Sequence, residues 1–185
     1  MDEEGRNHIN RIDGASKRME RLIDDLLKYS KLTSTDISLK RVDVDDVLET
    51  IYNELSREVE KKNAEITISN IPDVIGERTI LKQVLTNLIS NSLKFVEDDP
   101  KIEIYSKEVN NKVRIFVEDN GIGIKEEEQE NIFDVFERLH GIESYEGTGV
   151  GLAVVKKGVE KMDGEVGVES ELGEGSKFWI ELEKA

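Results

Sequence analysis

The sequence predicts an α+β fold, in which a mixed, largely antiparallel sheet carries helices on one face and follows one long amphipathic helix. Three observations lead to this prediction. Residues 7–32 contain no Pro and keep a helical spacing of apolar side chains. After a polar break at residues 33–36, segments with strand-like alternation are interspersed with helical segments. Two pairs of strand-like segments are joined by short turns, which is typical of antiparallel hairpins.

The first helix, at residues 7–32, has an apolar face that needs a partner. Its seam positions recur three and four residues apart, as in a heptad repeat: Ile9, Ile12, Ser16, Met19, Ile23, Leu26 and Ser30. Ala15, Leu22 and Tyr29 widen this seam into a stripe of the kind found in helical bundles. We expect self-association or a partner helix. The alternative is an ordinary amphipathic helix packed on its own domain.

The second unit begins with short strands and two helices. Residues 1–32 are expected to form the helical unit, 33–41 a linker with the lead-in to the first strand, and 42–185 one domain. Strands are predicted at residues 38–44, 64–70 and 74–75. One helix is predicted to end near Lys62, with Asp43 or Asp45 as its cap, and a second at residues 77–96.

The second half of this unit is dominated by hairpins. Residues 101–108 and 112–119 are predicted strands joined by Asn110 and Asn111, a pair that tolerates positive φ angles. A loop-rich stretch is expected to run to Thr148, followed by a helix at residues 149–162. A closing hairpin over residues 173–175 joins strands at 165–170 and 177–183.

Composition narrows the class of protein. The 185 residues include 41 acidic and 26 basic side chains, for a net charge of −15. Such a balance argues against binding to nucleic acid or to anionic membranes. The absence of Cys excludes disulfides and thiolate metal sites, and two His cannot form a His-rich site. No apolar run reaches membrane-spanning length and the first residues do not form a signal peptide, so we expect a soluble, cytoplasmic protein.

The predicted helix at residues 77–96 carries one polar face. At 100° per residue Gln83, Asn87, Asn91 and Lys94 share that face. The opposite face is directed to a core and contains Leu81, Leu85, Leu88, Ser92 and Val96. Carboxamide oxygens suit a hard cation and an ammonium suits phosphate, although a solvated helix face explains the same pattern.

Two glycine-containing clusters are further candidates. Asp119, at the end of a predicted buried strand, precedes Gly121 and Gly123, and its carboxylate could accept a hydrogen bond from an exocyclic amine. A simple turn explains this pattern equally well. Residues 147–153 open the predicted helix and could hold an anion on exposed backbone amides, but they fit neither the P-loop nor the dinucleotide pattern.

The order and spacing of these clusters resemble those of sensor histidine kinases. The asparagine helix, residues 119–123, 132–138, 147–152 and 173–176 resemble, in order, the N, first glycine, F, second glycine and third glycine boxes of that family. The resemblance covers residues 42–183 and implies the Bergerat-type GHKL ATP-binding fold, a two-layer α/β sandwich. Residues 139–146 are similar to the short ATP lid of phytochrome-like members. Residues 21–32 resemble the second helix of the dimerisation and phosphotransfer domain.

The resemblance implies a role for each matching residue. For the base, Asp119 would accept from the adenine amine, with Gly121, Gly123 and Ser176 nearby, and Phe95 would line the base or ribose pocket. For Mg²⁺, Asn91 would be the metal ligand, with Asn87 beside it. Lys94 would hold the phosphates, and Arg138 would approach the γ-phosphate. The residues around the phosphate chain would be Gly147, Thr148, Gly149, Val150, Gly151 and Leu152. His140 would contact phosphate or pack within its loop. Phe133 and Phe136 would pack beneath the lid.

Asn87 favours a histidine kinase over a hydrolase within this fold. The ATPases and serine kinases that resemble this chain carry a Glu at this position, four residues before the magnesium Asn, as a base for water or hydroxyl. A carboxamide cannot accept a proton at neutral pH, whereas a neutral imidazole already has a lone pair and needs no base. The resemblance therefore implies phosphoryl transfer from ATP to histidine, followed by relay to a response regulator, in a homodimer.

The phosphoacceptor is expected to lie on a helix that this chain lacks. The family's acceptor His is followed by an acidic residue and shortly by Pro, whereas His8 is followed by Ile9 and Asn10, with no Pro before Pro72. We interpret His8 as a helix-surface residue. The alternative function is a non-catalytic, nucleotide-dependent dimerisation or interaction module.

Overall fold

The computed structural model describes residues 3–34, 37–96, 99–137 and 147–185. Helix α1 runs over Glu3–Ser34 and is longer at both ends than predicted. The elements that follow form the α+β body, which we define as residues 37–96, 99–137 and 147–185. Among the helices of the described residues, none is both long and apolar enough to cross a membrane.

The two faces of α1 have different surroundings. One face packs against the α+β body, mainly on the later helix α5 (Gly151–Lys161), with Leu32 buried and Tyr29 against the core. All seven seam positions lie on exposed faces, and Ile12 and Ile23 are 68% and 58% exposed. Packing on the body therefore accounts for the widened stripe but leaves the seam open. Association through the seam stays a prediction.

A five-stranded sheet organises the body. Its strands are β2 (Glu65–Ile68), β4 (Lys101–Val109), β5 (Lys112–Asp119), β6 (Glu165–Glu171) and β7 (Gly175–Glu183), in the spatial order β2-β4-β5-β7-β6. Only β2 and β4 pair in parallel, and the other neighbours are antiparallel. Asn110 and Asn111, at the tip of the β4–β5 hairpin, both have positive φ, as their sequence predicted.

Three helices cover one face of this sheet. They are α2 (Val44–Lys62), α3 (Arg78–Lys94) and α5. Alternate strand residues such as Ile104, Ile115 and Ile180 point into the core, where they meet Leu85 and Leu88 of α3. This two-layer arrangement confirms the predicted α+β class with its mixed, largely antiparallel sheet.

Several predicted boundaries were wrong. The strand expected at residues 38–44 is reduced to β1 (Lys40–Val42), because its only sheet partner within the described residues is the three-residue strand β3 (Val74–Gly76). A short helix, α4 (Glu126–Gln129), lies within the stretch expected to be loop. Helix α5 begins two residues later than predicted, because Gly149 has a φ of +74° that no helix contains.

Asp43 and Glu77 define the starts of the two longer helices. Asp43 accepts a hydrogen bond from the Asp46 amide, so Asp43 rather than Asp45 is the cap of α2. Glu77 caps α3 by accepting from the Ile80 amide at 2.7 Å. The Glu77 cap fixes the residue at which α3 begins, and therefore the direction in which the polar face of α3 points.

Candidate functional site

A cavity of about 280 Å³ opens between α3, α5 and the C-terminal end of β5. It gathers residues from all three sequence clusters. The predicted site residues that line it are Asn87, Asn91, Lys94, Phe95, Asp119, Gly123, Gly147, Thr148, Gly149, Gly151, Leu152 and Ser176. Residues up to 65 positions apart in these clusters, from Asn87 to Leu152, therefore line the same cavity.

Asp119 forms a buried acceptor at one end of the cavity. Its carboxylate is 9% exposed and accepts from the Ser92 hydroxyl at 2.8 Å and from the amides of Gly121 and Ser176 at 3.0 and 3.2 Å. Burial raises the pKa of Asp119 above its ordinary value, and the negative charge of the nearby Glu118 adds to this shift. The three hydrogen-bond donors oppose it. A carboxylate has about four acceptor positions, so capacity remains for a donor on a ligand.

A serine pair holds the strand that carries Ser176. The Ser170 hydroxyl donates to the Gly175 carbonyl at 2.7 Å and accepts from the Ile124 amide at 2.9 Å. Its single hydrogen is thereby used, so the hydroxyl of Ser176, 2.9 Å away, is the donor in their contact. The sequence did not indicate Ser170, because a single Ser in a short edge strand belongs to no sequence motif.

Gly175 is required where the β6–β7 hairpin meets Asp119. Its φ is +109°, and a Cβ at this position would lie 2.0 Å from the carbonyl oxygen of Asp119. We predict that Gly175→Ala lowers the free energy of unfolding by at least about 2 kcal/mol, because strain and steric overlap combine. Denaturant titration of the purified protein measures this change.

Gly173→Ala is the matched control for that prediction. Gly173 lies in the same hairpin with a φ of +90°, but a Cβ there would meet nothing within 4 Å. It should therefore cost only backbone strain, about 1 kcal/mol. Equal losses for the two variants would contradict the contact with Asp119.

The polar face of α3 looks into the cavity and not into bulk solvent. Asn87 and Asn91 are half-buried there. The Asn87 amide donates to the Gln83 carbonyl at 2.8 Å, which leaves its oxygen on the side of Gly151, where a Cβ would lie 3.2 Å away. The opposite face is buried as predicted, and Ser92 on that face turns out to support Asp119.

Lys94 and Phe95 lie at the C-terminal end of α3. The Lys94 Nζ is 4.3 Å from the centre of the Phe95 ring, and a Cβ on Gly147 would lie 2.6 Å from that nitrogen. Lys62 of α2 secures this helix end by donating to the Leu93 carbonyl at 2.6 Å. Sequence reasoning assigned Lys62 no role, although a Lys at the end of a helix often binds free carbonyls.

The loop before α5 presents backbone amides. Val150 precedes the helix, and in the part of the chain that the structure describes no side chain caps the first turn of α5. Such uncapped amides at a helix start favour an anion. Val150 itself is fully buried, and Gly121 contributes its amide to Asp119, so these two predicted residues support the cavity from behind its lining.

The cavity also contains residues that the sequence analysis did not select. Asp25 of α1 accepts a hydrogen bond from the Thr148 hydroxyl at 2.7 Å. The other unselected lining residues are Ser90, Ile122, Ile124, Ile132, Glu137 and Phe178. Ile122 and Ile124 follow Asp119, and Phe178 lies in the interior strand β7, so burial could have been expected for these three. Asp25, by contrast, is 123 positions from its partner.

Two predicted site residues, Arg138 and His140, lie outside the described residues, as does the segment 139–146 that was compared with an ATP lid. Just before it, Phe133 is buried edge-on against Phe178, with ring centres 6.5 Å apart. Phe136 is 55% exposed, and its packing beneath the lid stays a prediction because the lid lies outside the described residues. Its φ of +70° belongs to a turn in which its amide donates to the Gly149 carbonyl at 3.0 Å.

Charge in the described part of the cavity is mixed. Lys94 contributes a cation, while Asp25, Asp119 and Glu137 contribute carboxyl groups. Across the described residues no group of three or more His, Asp or Glu side chains is arranged to hold a metal ion.

Known proteins resemble this chain over its whole described length. Residues 76–185 match the family described as histidine kinase-, DNA gyrase B-, and HSP90-like ATPases. The phytochrome-like protein Cph1 from Synechocystis is 37% identical over 183 residues, covering 98% of this chain and 24% of Cph1. The chain thus spans about a quarter of the length of the curated relatives it matches.

Two solved structures match this chain over its full length, α1 and the body included. Full-length ShkA, crystallised in complex with AMPPNP, superposes with a TM-score of 0.79 at 27% identity, covering 100% of this chain and 40% of ShkA. The histidine kinase ThkA in complex with the response regulator protein TrrA gives a TM-score of 0.77 at 25% identity, covering 100% of this chain and 53% of that one.

Proposed function

Because the chain belongs to the family of histidine kinase-, DNA gyrase B-, and HSP90-like ATPases, we propose that it is the ATP-binding catalytic part of a sensor histidine kinase, joined to one helix of the kinase bundle. In this proposal residues 42–185 bind Mg²⁺-ATP and transfer its γ-phosphoryl group to a His on another bundle helix. The phosphoryl group then passes to a response regulator. The cytoplasm, which supplies ATP, is the proposed compartment.

The observation that carries this proposal is the polarity of the cavity. A buried acceptor, Asp119, lines the same cavity as the Lys94 ammonium and the loop that leads into the uncapped first turn of α5. ATP has a matching polarity, with an amine donor on its base and an anionic phosphate chain. The apolar side chains of the lining, such as Ile122 and Phe178, suit the flat base.

At the base end, Asp119 would accept from the adenine amine. Its three protein donors fix the carboxylate in place before the ligand arrives, so no rotamer has to be ordered on binding. The Phe95 ring and Gly123 would border the base or ribose. The Ser176 amide, which already donates to Asp119, holds β7 at the correct distance.

At the phosphate end, the residues present fit a magnesium ion. Mg²⁺ prefers oxygen ligands and commonly takes one or two from protein and the rest from phosphates and water. Asn91 would supply one, with the oxygen of Asn87 beside it, in keeping with the absence of an acidic or His cluster among the described residues. The bound ion would neutralise charge on the transferring group. Lys94, Thr148 and the amides of Gly149 and Gly151 would bind the phosphate oxygens.

The proposed chemistry needs positioning rather than a protein base. A neutral imidazole nitrogen attacks the γ-phosphorus, an N–P bond forms, and the bond to the bridging oxygen breaks as ADP leaves. Asn87 cannot take a proton at neutral pH, and the imidazole requires none to be removed before attack. We propose that neither His8 nor His140 is the acceptor. His8 is exposed on α1, in a sequence unlike that of the family's acceptor.

Phosphoryl transfer to a separately supplied acceptor tests the proposal. The chain would be incubated with radiolabelled Mg²⁺-ATP and a helical hairpin that contains a phosphoacceptor His, with a His→Gln hairpin as control. We expect an acid-labile, base-stable label on the His hairpin alone. Binding of ATP without any transfer would favour the alternative interaction module, and labelling of His8 in the chain by itself would contradict the proposed acceptor.

The exposed seam of α1 is the proposed dimer interface. Burying the seam side chains against a second copy would remove several large apolar groups from water, at about 25 cal/mol per Å². We predict a dimer by sedimentation equilibrium, and a monomer for Ile23→Lys. Ile68→Lys, an equal change at a 39% exposed position of β2, should remain dimeric. A wild-type monomer at high concentration would contradict the interface.

A further inference from the structure

Asp25 connects α1 to the cavity. The Thr148 hydroxyl donates to Asp25 Oδ2 at 2.7 Å, across 123 positions of sequence, and Asp25 is one of the residues that line the cavity. Other described contacts of α1 with the body include packing contacts on α5 and the core, through residues such as Tyr29 and Leu32, and neither of these two residues lines the cavity. Asp25 is thus the point at which α1 reaches the cavity itself.

This carboxylate lies among the donors assigned to the phosphates. Thr148 is followed by the glycine that leads into α5, and Gly147 before it lies against the Lys94 ammonium. A threonine hydroxyl has one hydrogen to donate. While Asp25 accepts it, a phosphate oxygen cannot, and two anions in a partly enclosed cavity repel each other more strongly than in water.

We propose that Asp25 competes with the phosphate chain of ATP for Thr148, so that docking of α1 and binding of nucleotide oppose each other. The proposal rests on the proposed function, because it needs phosphates at residues 147–151. The coupling is reciprocal: a docked α1 lowers nucleotide affinity, and bound nucleotide loosens α1 by the same factor. A signal that shifts α1 in the bundle would in this way regulate the occupancy of the cavity.

Nucleotide affinity provides the first test. Asp25→Ala removes the competing acceptor and its charge at a position inside a helix, where Ala is well tolerated. Calorimetry with Mg²⁺-AMPPNP should show affinity rising roughly 3- to 10-fold, the worth of one hydrogen bond. Asp24→Ala is the matched control: it removes the same charge from the exposed neighbour and should leave affinity within about twofold. Unchanged or weaker binding by Asp25→Ala would overturn the proposal.

The position of α1 provides the second test. The chain has no Cys, so Glu20→Cys on α1 and Glu103→Cys on β4 allow specific spin labelling at two exposed positions. We expect Mg²⁺-AMPPNP to shift or broaden the distance between the labels, and adenosine, which lacks phosphates, to leave it unchanged. Asp25→Ala should produce the shift without nucleotide. A distance that ignores AMPPNP would overturn the coupling.

Asp119→Asn separates failure of this coupling from failure of the proposed function. If the wild-type chain binds AMPPNP and Asp119→Asn does not, the cavity is a nucleotide site, and a neutral result at Asp25 removes only the coupling. If wild type binds no AMPPNP, or Asp119→Asn binds it as well as wild type does, the proposed function and the coupling fail together.

Discussion

Replacing Asp119 by Asn is expected to weaken binding of an ATP analogue by at least about 100-fold. The carboxylate only accepts hydrogen bonds, whereas an Asn must also place an amide group. That group would face either the Gly121 and Ser176 amides or the adenine amine, and both are donors. Losing a bond to a charged group and leaving a buried donor unsatisfied together cost about 3 kcal/mol or more. Calorimetry with Mg²⁺-AMPPNP measures the loss.

Glu118→Gln is the matched control for Asp119→Asn. Glu118 precedes Asp119 on β5, but its carboxylate lies on the other face of the sheet, where it accepts from the Tyr105 hydroxyl at 2.7 Å and pairs with Lys177. A Gln can still accept the Tyr105 bond, so affinity should change by less than about twofold. An equal loss of affinity in both variants would show that the negative charge on β5 matters in general. It would contradict a specific role for Asp119 as the acceptor that binds the adenine base.

The pH dependence of binding provides a further check on Asp119. Burial raises the pKa of this carboxyl above its ordinary value, against the opposing effect of its three donors. The charged form accepts from the adenine amine, so affinity should fall as pH is lowered through that raised pKa, at a higher pH than an exposed Asp would require. Binding of adenosine, which has no phosphates to titrate, isolates this effect. A pH profile that is flat down to the ordinary pKa of Asp would contradict it.

The parts of the fold and site that sequence predicted depend on local signals. Asn110 and Asn111 specify a hairpin because few residues tolerate their positive φ angles. Asp119 could be selected because it ends an alternating strand and precedes two glycines. The helix periodicity placed Ser92 on the buried face, and the structure adds what the periodicity did not indicate, that its hydroxyl donates to Asp119.

The parts that sequence did not predict depend on contacts between distant segments. Asp25 has the local features of any acid on an amphipathic helix, and only the packing of α1 on α5 brings it to Thr148. Ser170 belongs to an edge strand and acquires its role from the turn that follows Gly123. Neither periodicity nor composition contains information about such pairs, because each is a property of one segment at a time.

The N-terminal helix shows the same division. Its periodicity predicted a seam and a stripe but could not assign them to different partners. The structure packs Tyr29 of the stripe on the body, together with Leu32, while Ile12 and Ile23 of the seam stay exposed. The exposed seam is the surface proposed for dimerisation, and the side of α1 that faces the body carries Asp25, which lines the cavity. One helix therefore has the surfaces that connect dimerisation with the cavity.

Replacing Asn91 by Ala is expected to lower phosphoryl transfer about 1000-fold, the second large effect. Asn91 lies on the cavity side of α3, one turn after Asn87, and its carboxamide oxygen is the proposed magnesium ligand. Charge neutralisation by a metal contributes several kcal/mol to a transferring phosphoryl group. Transfer to the supplied His hairpin measures the loss, and Asn53→Ala, the same change on the exposed surface of α2, should have no effect.

Asn91→Ala and Asp119→Asn should fail in different ways, and this contrast tests the polarity of the cavity. Adenosine engages only the base end, so Asn91→Ala should bind it like wild type while losing the gain in AMPPNP affinity that magnesium provides. Asp119→Asn should lose adenosine and AMPPNP alike. If Asn91→Ala also lost adenosine, the damage would lie in α3 itself, since Phe95 and Ser92 on that helix support the base end. Only separate losses are compatible with a ligand that lies along the cavity with its base at Asp119 and its phosphates at Asn91.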